Sequence, residues 1–178
     1  MEPPEMVNAG EIVLKKWEAE WADAAVAAVR ESLPELRRFM PWADDGYDAD
    51  AAREFLGKAA EEWRNGTAYS YAVFTTVGEL IGSCGLRTRV GPGALEIGYW
   101  IHSGHAGRGY ATKAATSLAQ VGLAMPGIER IVIKHDAANP ASGAVAAKAG
   151  FTQVGREPRE PQSPDDTGVD LVWERRRP

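Results

Sequence analysis

Gly104-His105-Ala106-Gly107-Arg108-Gly109-Tyr110-Ala111-Thr112-Lys113 divides the chain between two hydrophobic rhythms. Before it, Ala94 to Ile101 alternates as a strand does. After it, Ala111, Ala114, Ala115, Leu118 and Val121 recur at helical spacing through Leu123. Glycines at a strand-to-helix turn let a ligand approach the backbone closely. The first helical turn offers unpaired N–H groups at the positive end of the dipole. Together these features bind phosphate, although a plain connection would also be glycine-rich. The stretch lacks the Gly-Lys-Ser/Thr of a Walker A loop, and glycines at 104, 107 and 109 are in the wrong order for the dinucleotide fingerprint.

Upstream, Ile12–Trp17 reads as an opening strand after a Pro-rich, frayed start, and Trp21–Ser32 as a helix. Pro34–Met40 is a helical turn closed by Pro41, and Asp50 is the expected N-cap of a helix ending at Asn65-Gly66. Tyr69–Phe74, Leu80–Arg89 and Ala94–Ile101 follow one another through short turns, the pattern of an antiparallel meander. Downstream come a buried strand at Ile128–Lys134, an alanine-rich helix at Ala141–Ala149, a strand at Phe151–Val154, a loop over Arg156–Gly168 and a last strand at Val169–Trp173. A strand–helix–strand crossover in the middle requires a parallel pair.

The chain has 178 residues, 44% apolar and 25% charged, the make-up of one soluble domain spanning 1–178, with about 1–10 and 156–167 expected to be flexible. No apolar run reaches membrane-span length, and Met1-Glu2-Pro3-Pro4-Glu5 lacks the basic and apolar regions of a signal peptide, so the expected compartment is the cytoplasm. One cysteine, Cys84, excludes an internal disulfide and a cysteine zinc cluster, and reads as a small packing residue. His102, His105 and His135 lack carboxylate or thiol neighbours at ligand spacing, so no metal is expected. A net charge of −5 argues against a nucleic-acid partner, which would need a basic surplus.

A second segment, Asn139-Pro140-Ala141-Ser142, opens the helix after the buried strand. Asn139 would serve there as an N-cap. Two helices that follow neighbouring parallel strands bring their N-termini to one sheet edge, where a ligand can lie between them. Gly107-Arg108-Gly109-Tyr110-Ala111-Thr112, then Asn139-x-x-Ser142 and Lys148-x-Gly150-Phe151, resembles the GNAT superfamily of acyl-CoA-dependent N-acyltransferases. Glu96-Ile97-Gly98-Tyr99-Trp100-Ile101 resembles that family's fourth strand. Leu36–Trp42 resembles the branch of ribosomal-protein-alanine N-acetyltransferases. The likeness covers about Ile12 to Trp173.

The resemblance implies an α/β fold: a mixed, mostly antiparallel twisted sheet with a central parallel pair splayed at the fourth and fifth strands, flanked by helices. It implies acetyl-CoA as co-substrate. The family's Gln/Arg-x-x-Gly-x-Gly/Ala loop aligns to Ala106-x-x-Gly109-x-Ala111, so Ala106 departs from the pattern. The amides of Gly107, Arg108, Gly109, Tyr110, Ala111 and Thr112 would hold the diphosphate, with Arg108 and the Thr112 hydroxyl adding hydrogen bonds. Trp100, Ile101 and His102 would pair their main chain with the pantetheine arm, Asn139 would bond its amides, and Lys148 would reach the nucleotide end.

Acyl transfer to an amine needs a neutral nucleophile, although lysine and α-amines titrate near about 10.4 and about 8. It also needs oxyanion donors and help for the departing thiolate. Glu96 is the base candidate, directly or through a water, and a strand amide near Trp100 or Ile101 the oxyanion donor. The family's catalytic tyrosine falls on Ala146, so Ser142 is the hydroxyl left for the sulfur. The reading is an N-acetyltransferase acting on a protein N-terminus or a small cationic amine. The alternatives are a non-catalytic acyl-CoA-binding module and a transferase of a longer acyl group such as succinyl. Monomer and homodimer stay open. Residues 18–64 hold twelve acids against six bases, with Trp21, Phe39, Trp42, Tyr47, Phe55 and Trp63 among them. Such a mouth would suit a cationic acceptor, with Asp44, Asp45 and Asp48 as the contacting acids.

Overall fold

The computed structural model describes residues 2–178. Eight strands form one sheet: β1 (Met6–Ala9), β2 (Ile12–Lys16), β3 (Ala68–Thr75), β4 (Leu80–Arg87), β5 (Ala94–Ile101), β6 (Arg130–Asp136), β7 (Thr152–Pro158) and β8 (Val169–Arg176). The helices are α1 (Ala22–Glu31), α2 (Leu33–Leu36), α3 (Ala49–Asn65), α4 (Tyr110–Ala124) and α5 (Pro140–Lys148). The strand order is β1-β2-β3-β4-β5-β6-β8-β7. Every neighbouring pair is antiparallel except β5 and β6, so the fold is the expected mixed α/β architecture.

Three local differences from the sequence reading have physical causes. The sheet begins at β1, whose register against β2 runs from Met6↔Lys15 to Ala9↔Ile12, so part of the supposedly frayed start is paired strand. Asp48 rather than Asp50 caps α3, accepting from the Ala51 amide at 2.9 Å, because Asp48 alone keeps an extended backbone at the helix entry. β7 runs on to Pro158, which shortens the loop before β8 to residues 159–168.

That loop is held by Arg159, which bonds Asp136 at 3.3 Å, Asp166 at 3.0 Å and Asp170 at 2.9 Å. Burial pushes the Asp136 carboxyl up, but the Ala138 and Thr167 amides, the Thr167 hydroxyl and Arg159 outweigh it and hold it below its ordinary value.

Each face of the sheet has its own core. On one, α4 packs Ala114, Ala115, Leu118 and Ala119 against Leu86, Leu95, Ile97 and Ile131. The small side chains bring this helix close: a Cβ at Gly122 would lie 2.6 Å from Ile131 Cδ1. On the other face, α1, α2 and α3 bury Ala25, Val29, Leu36 and Leu56 against Ala72, Phe74 and Leu80.

Candidate active site

The parallel contact between β5 and β6 is short. It runs Ala94↔Arg130, Leu95↔Ile131 and Glu96↔Val132, and stops. Beyond it β5 stays paired with β4 as far as Ile101, and β6 stays paired with β8 as far as Asp136. The two strands therefore part, and a cleft opens between Ile97–Ile101 and Ile133–Asp136. The helix following each strand starts at the open end of this cleft.

Main-chain phase decides which groups of β5 face the cleft. The His102 amide donates to Ile81 O at 2.7 Å, and a Cβ at Gly82 would strike the Trp100 carbonyl oxygen. Even-numbered residues thus direct their main chain at β4. Gly93 O, by contrast, accepts from Glu129 and Arg130 on the β6 side. By the antiparallel alternation, Ile97, Tyr99 and Ile101 turn their main chain away from β4; the last parallel rung, Glu96↔Val132, takes up the Ile97 N–H, and the Ile97 C=O and the N–H and C=O groups of Tyr99 and Ile101 face the cleft. This corrects the expectation for Trp100 and His102 as main-chain partners of a ligand there; the Ile101 main chain faces the cleft. Tyr99 is the residue that counting along the motif missed, because main-chain phase is set by the pairing with β4.

At the cleft mouth the glycine loop turns into α4. Gly107 and Gly109 have φ of 76° and 79°, a left-handed conformation that favours glycine, and a Cβ on either would meet only open space. The first loop or helix amide beyond Ala106 with a backbone acceptor is Lys113, which donates to Gly109 O at 3.0 Å. Among the described residues, the amides from Gly107 to Thr112 have no such partner. These unpaired donors at a helix N-terminus fit a diphosphate. Arg108 is exposed beside them, while Tyr110, Ala111 and Thr112 are half-buried in the first turn.

Asn139 caps α5, its side-chain oxygen accepting from the Ser142 amide at 3.3 Å. Tyr99 projects from β5 to α5, and its hydroxyl donates to Ser142 Oγ at 3.0 Å. Burial pushes the Tyr99 phenol above its ordinary value, against a smaller opposing effect of the Ser142 hydrogen bond. Lys148, in the last turn of α5, is exposed at the far end of the helix from this bridge. Ala146 is fully buried in the core, so the position cannot take part in chemistry.

Glu96 occupies the fork, but on the opposite face of β5 from Tyr99. Its carboxylate is bound twice by Arg89, at 2.6 Å and 3.2 Å, and the residue is only 5% exposed. Those hydrogen bonds raise the Arg89 guanidinium above its ordinary value. The structure therefore does not bring the two candidate catalytic residues together: Ser142 meets Tyr99, and Glu96 meets Arg89.

The acid-rich segment also resolves differently from expectation. Asp44 accepts from the Gly46 amide, Asp45 pairs with Arg37 at 2.7 Å, and Asp48 caps α3. Short acids after a proline turn bond their own neighbourhood, so each of the three carries a local structural contact besides its exposure to solvent. Of the aromatic set, Trp63 is buried against Tyr69 and Tyr71, while Phe55 and Trp21 pack on Trp17. Of this set Trp42 is the exposed ring, at 42%, and it lies 6.1 Å from the ring of Trp100 and 5.7 Å from that of Tyr47. Because Trp100 shares the Glu96 face of β5, these rings wall the cleft on that side. Arg38 and Asp165, paired at 2.6 Å, join the segment after α2 to the loop before β8.

Cys84 is buried in β4, and burial pushes its thiol well above the ordinary range, which removes it as a nucleophile. His135 has both ring nitrogens engaged, by Asp136 O at 2.8 Å and the Trp173 indole at 2.9 Å. Among the described residues, no three His, Cys, Asp or Glu side chains form a metal-holding group, and no helix is long and apolar enough to cross a membrane.

Residues 11–152 match the model of the acetyltransferase (GNAT) domain. The fold is similar to that of microcin C7 self-immunity acetyltransferase MccE, crystallised with acetyl-CoA and AMP, at a TM-score of 0.89 and 19% identity over 97% of each chain. It is similar to the ribosomal L7/L12 alpha-N-protein acetyltransferase RimL in complex with coenzyme A, at a TM-score of 0.88 and 22% identity over 97% of this chain and 98% of that one. Mycobacterium smegmatis RimJ, in complex with a CoA disulfide, aligns at a TM-score of 0.84 and 22% identity over 99% of this chain and 90% of that one.

Proposed function

Since the chain belongs to the GNAT acetyltransferase domain family, we propose that it transfers an acetyl group from acetyl-CoA directly to a primary amine. The observation that carries the reading is the fork between β5 and β6, open beyond Glu96↔Val132, with the unpaired amides of residues 107–112 at its mouth. The loop amides, Arg108 and the Thr112 hydroxyl would bind the diphosphate. The main chain of Tyr99 and Ile101 would hydrogen-bond an extended pantetheine arm as an added strand does, and the free side-chain NH2 of Asn139 would assist. When bound, the thioester supplies an activated acyl carbon and a thiolate leaving group.

The residues of this chain then have three tasks. The cleft-facing amide of Tyr99, beyond the last parallel rung, stabilises the oxyanion as it forms. Ser142 donates a hydrogen bond toward the sulfur. Glu96 takes the amine's proton through water, once the exposed Arg89 side chain swings aside from it. The acceptor enters on the Glu96 face, between Trp42, Trp100 and the Arg38–Asp165 bridge. Trp42 offers a face for a cationic or planar group.

Thiol release from acetyl-CoA, measured against peptides with free N-termini, polyamines, amino acids and aminoglycosides, tests the reading. Release that depends on one amine class supports it. Tight acetyl-CoA binding with no release above the hydrolytic background identifies a non-catalytic binding module instead, the outcome that the closed Glu96–Arg89 pair and the buried Ala146 would favour.

A further inference from the structure

We propose that Tyr99 is a positioning residue for the thiol-releasing step, orienting the Ser142 hydroxyl so that its proton points at the departing sulfur. The assignment rests on the acetyl-transfer reading above. A serine hydroxyl has one proton to give and two lone pairs to receive. Tyr99 fills one lone pair, across 43 residues of sequence and from the opposite side of the cleft. Among the described residues, no chain acceptor takes the Ser142 proton, which is thereby left for a group in the cleft.

The backbone that carries the serine is fixed. Its amide is tied to the Asn139 side chain, and the next residue is the close-packed Gly143, where a Cβ would come 3.4 Å from the His135 ring. His135 is fixed in turn by Trp173 and by the Asp136 carbonyl. Among the described residues, Tyr99 makes no other side-chain hydrogen bond, and its ring packs against the apolar core on this face.

The step balances without moving a proton along the relay. The amine nitrogen forms the new C–N bond, the C–S bond breaks, and its electron pair goes to sulfur. The proton lost by the amine leaves through water. Tyr99 and Ser142 keep their own protons throughout and spread the thiolate charge over two hydrogen bonds. Burial holds the phenol protonated across the working range, which suits a hydrogen-bond donor and not an acid.

Tyr99→Phe, Ser142→Ala and the double variant test this with full-length protein, the amine that supports release, saturating acetyl-CoA and calorimetric titration. Tyr99→Phe, which keeps the ring, is expected to lower kcat about 3- to 10-fold, the worth of one hydrogen bond, to leave acetyl-CoA affinity unchanged, and to lower Tm by no more than about 2–6 °C. In the Ser142→Ala background the same substitution should cause no further loss. Wild-type kcat in Tyr99→Phe, or losses that multiply in the double variant, overturns the assignment alone. Absence of amine-dependent thiol release by the unaltered chain overturns it together with the reading it rests on.

Discussion

Gly109 stands where the chain enters α4 with φ of 79°, and a side chain there would project into open space. Replacing it perturbs the loop in two separable ways. Any L-residue must adopt the left-handed conformation, at about 1–2 kcal/mol. For a domain of this length that is roughly 2–8 °C in Tm. Gly109→Ala measures this strain alone. Gly109→Glu adds a carboxylate at the helix N-terminus, where it stabilises the dipole by about 0.3–1 kcal/mol and so melts no lower than the alanine variant. The same carboxylate competes with the diphosphate for the amides of residues 107–112. Two unit charges about 4 Å apart repel by about 4 kcal/mol at an effective dielectric constant of about 20. Solvent and salt at this exposed loop reduce that to about 1.5–3 kcal/mol, a roughly 10- to 100-fold loss of affinity. Calorimetric titration with acetyl-CoA at low and moderate salt, beside thermal melts of both variants, is the assay. The glutamate variant should bind far more weakly than the alanine variant while melting at or above it, and salt should narrow the gap. Equal acetyl-CoA affinity in the two variants would refute the placement of the diphosphate on this loop.

Glu96→Gln should lower turnover more than acetyl-CoA binding and alter the acidic limb of the pH–rate profile; an unchanged profile assigns the carboxylate to the Arg89 pair alone. Arg159→Ala leaves the nearly inaccessible carboxylates of Asp136 and Asp166 without their cation, at about 3–5 kcal/mol, and a calorimetric scan should show Tm lower by roughly 6–20 °C. Because the hydrogen-bonded carboxyls of Asp136 and Asp166 titrate below their ordinary values, they stabilise the fold above about pH 4. That contribution is lost as pH falls through their depressed range, and a Tm–pH series on Arg159→Ala should show a weaker acid-limb slope than wild type. Gly82→Ala drives a methyl into the Trp100 carbonyl and should destabilise by about 1–3 kcal/mol, with weakened acetyl-CoA binding seen in the same titration, since β4 and β5 must move apart beside the cleft. Trp42→Ala should raise KM for the amine and leave acetyl-CoA affinity unchanged; a shift in acetyl-CoA affinity instead would place Trp42 on the wrong side of β5.

Local chemistry was enough for the elements that contain their own signal. The glycines before Tyr110 and the alanine spacing after it announce the loop and α4, because positive φ and helical periodicity are properties of neighbours in sequence. Asn139 before Pro140 announces the α5 cap for the same reason. The crossover from Ala94–Ile101 to the strand after α4 required a parallel pair, and β5–β6 is that pair. What tertiary structure alone decided depends on contacts across long stretches of chain. The alternation of Ala94–Ile101 puts Tyr99 on the same face as Leu95 and Ile97, and only the docking of α5 gives its hydroxyl Ser142 as a partner. Glu96 reads as a free carboxylate until the turn after β4 folds Arg89 onto it. The main-chain phase that turns Tyr99 and Ile101 toward the cleft, and Trp100 away, is set by pairing with β4, which one strand's residues cannot specify. Asp44, Asp45 and Asp48 looked alike as charges, and their separate duties follow from backbone geometry and from the position of Arg37. Side-chain type is written in the sequence; which partner satisfies a polar group is decided where distant segments exclude water together.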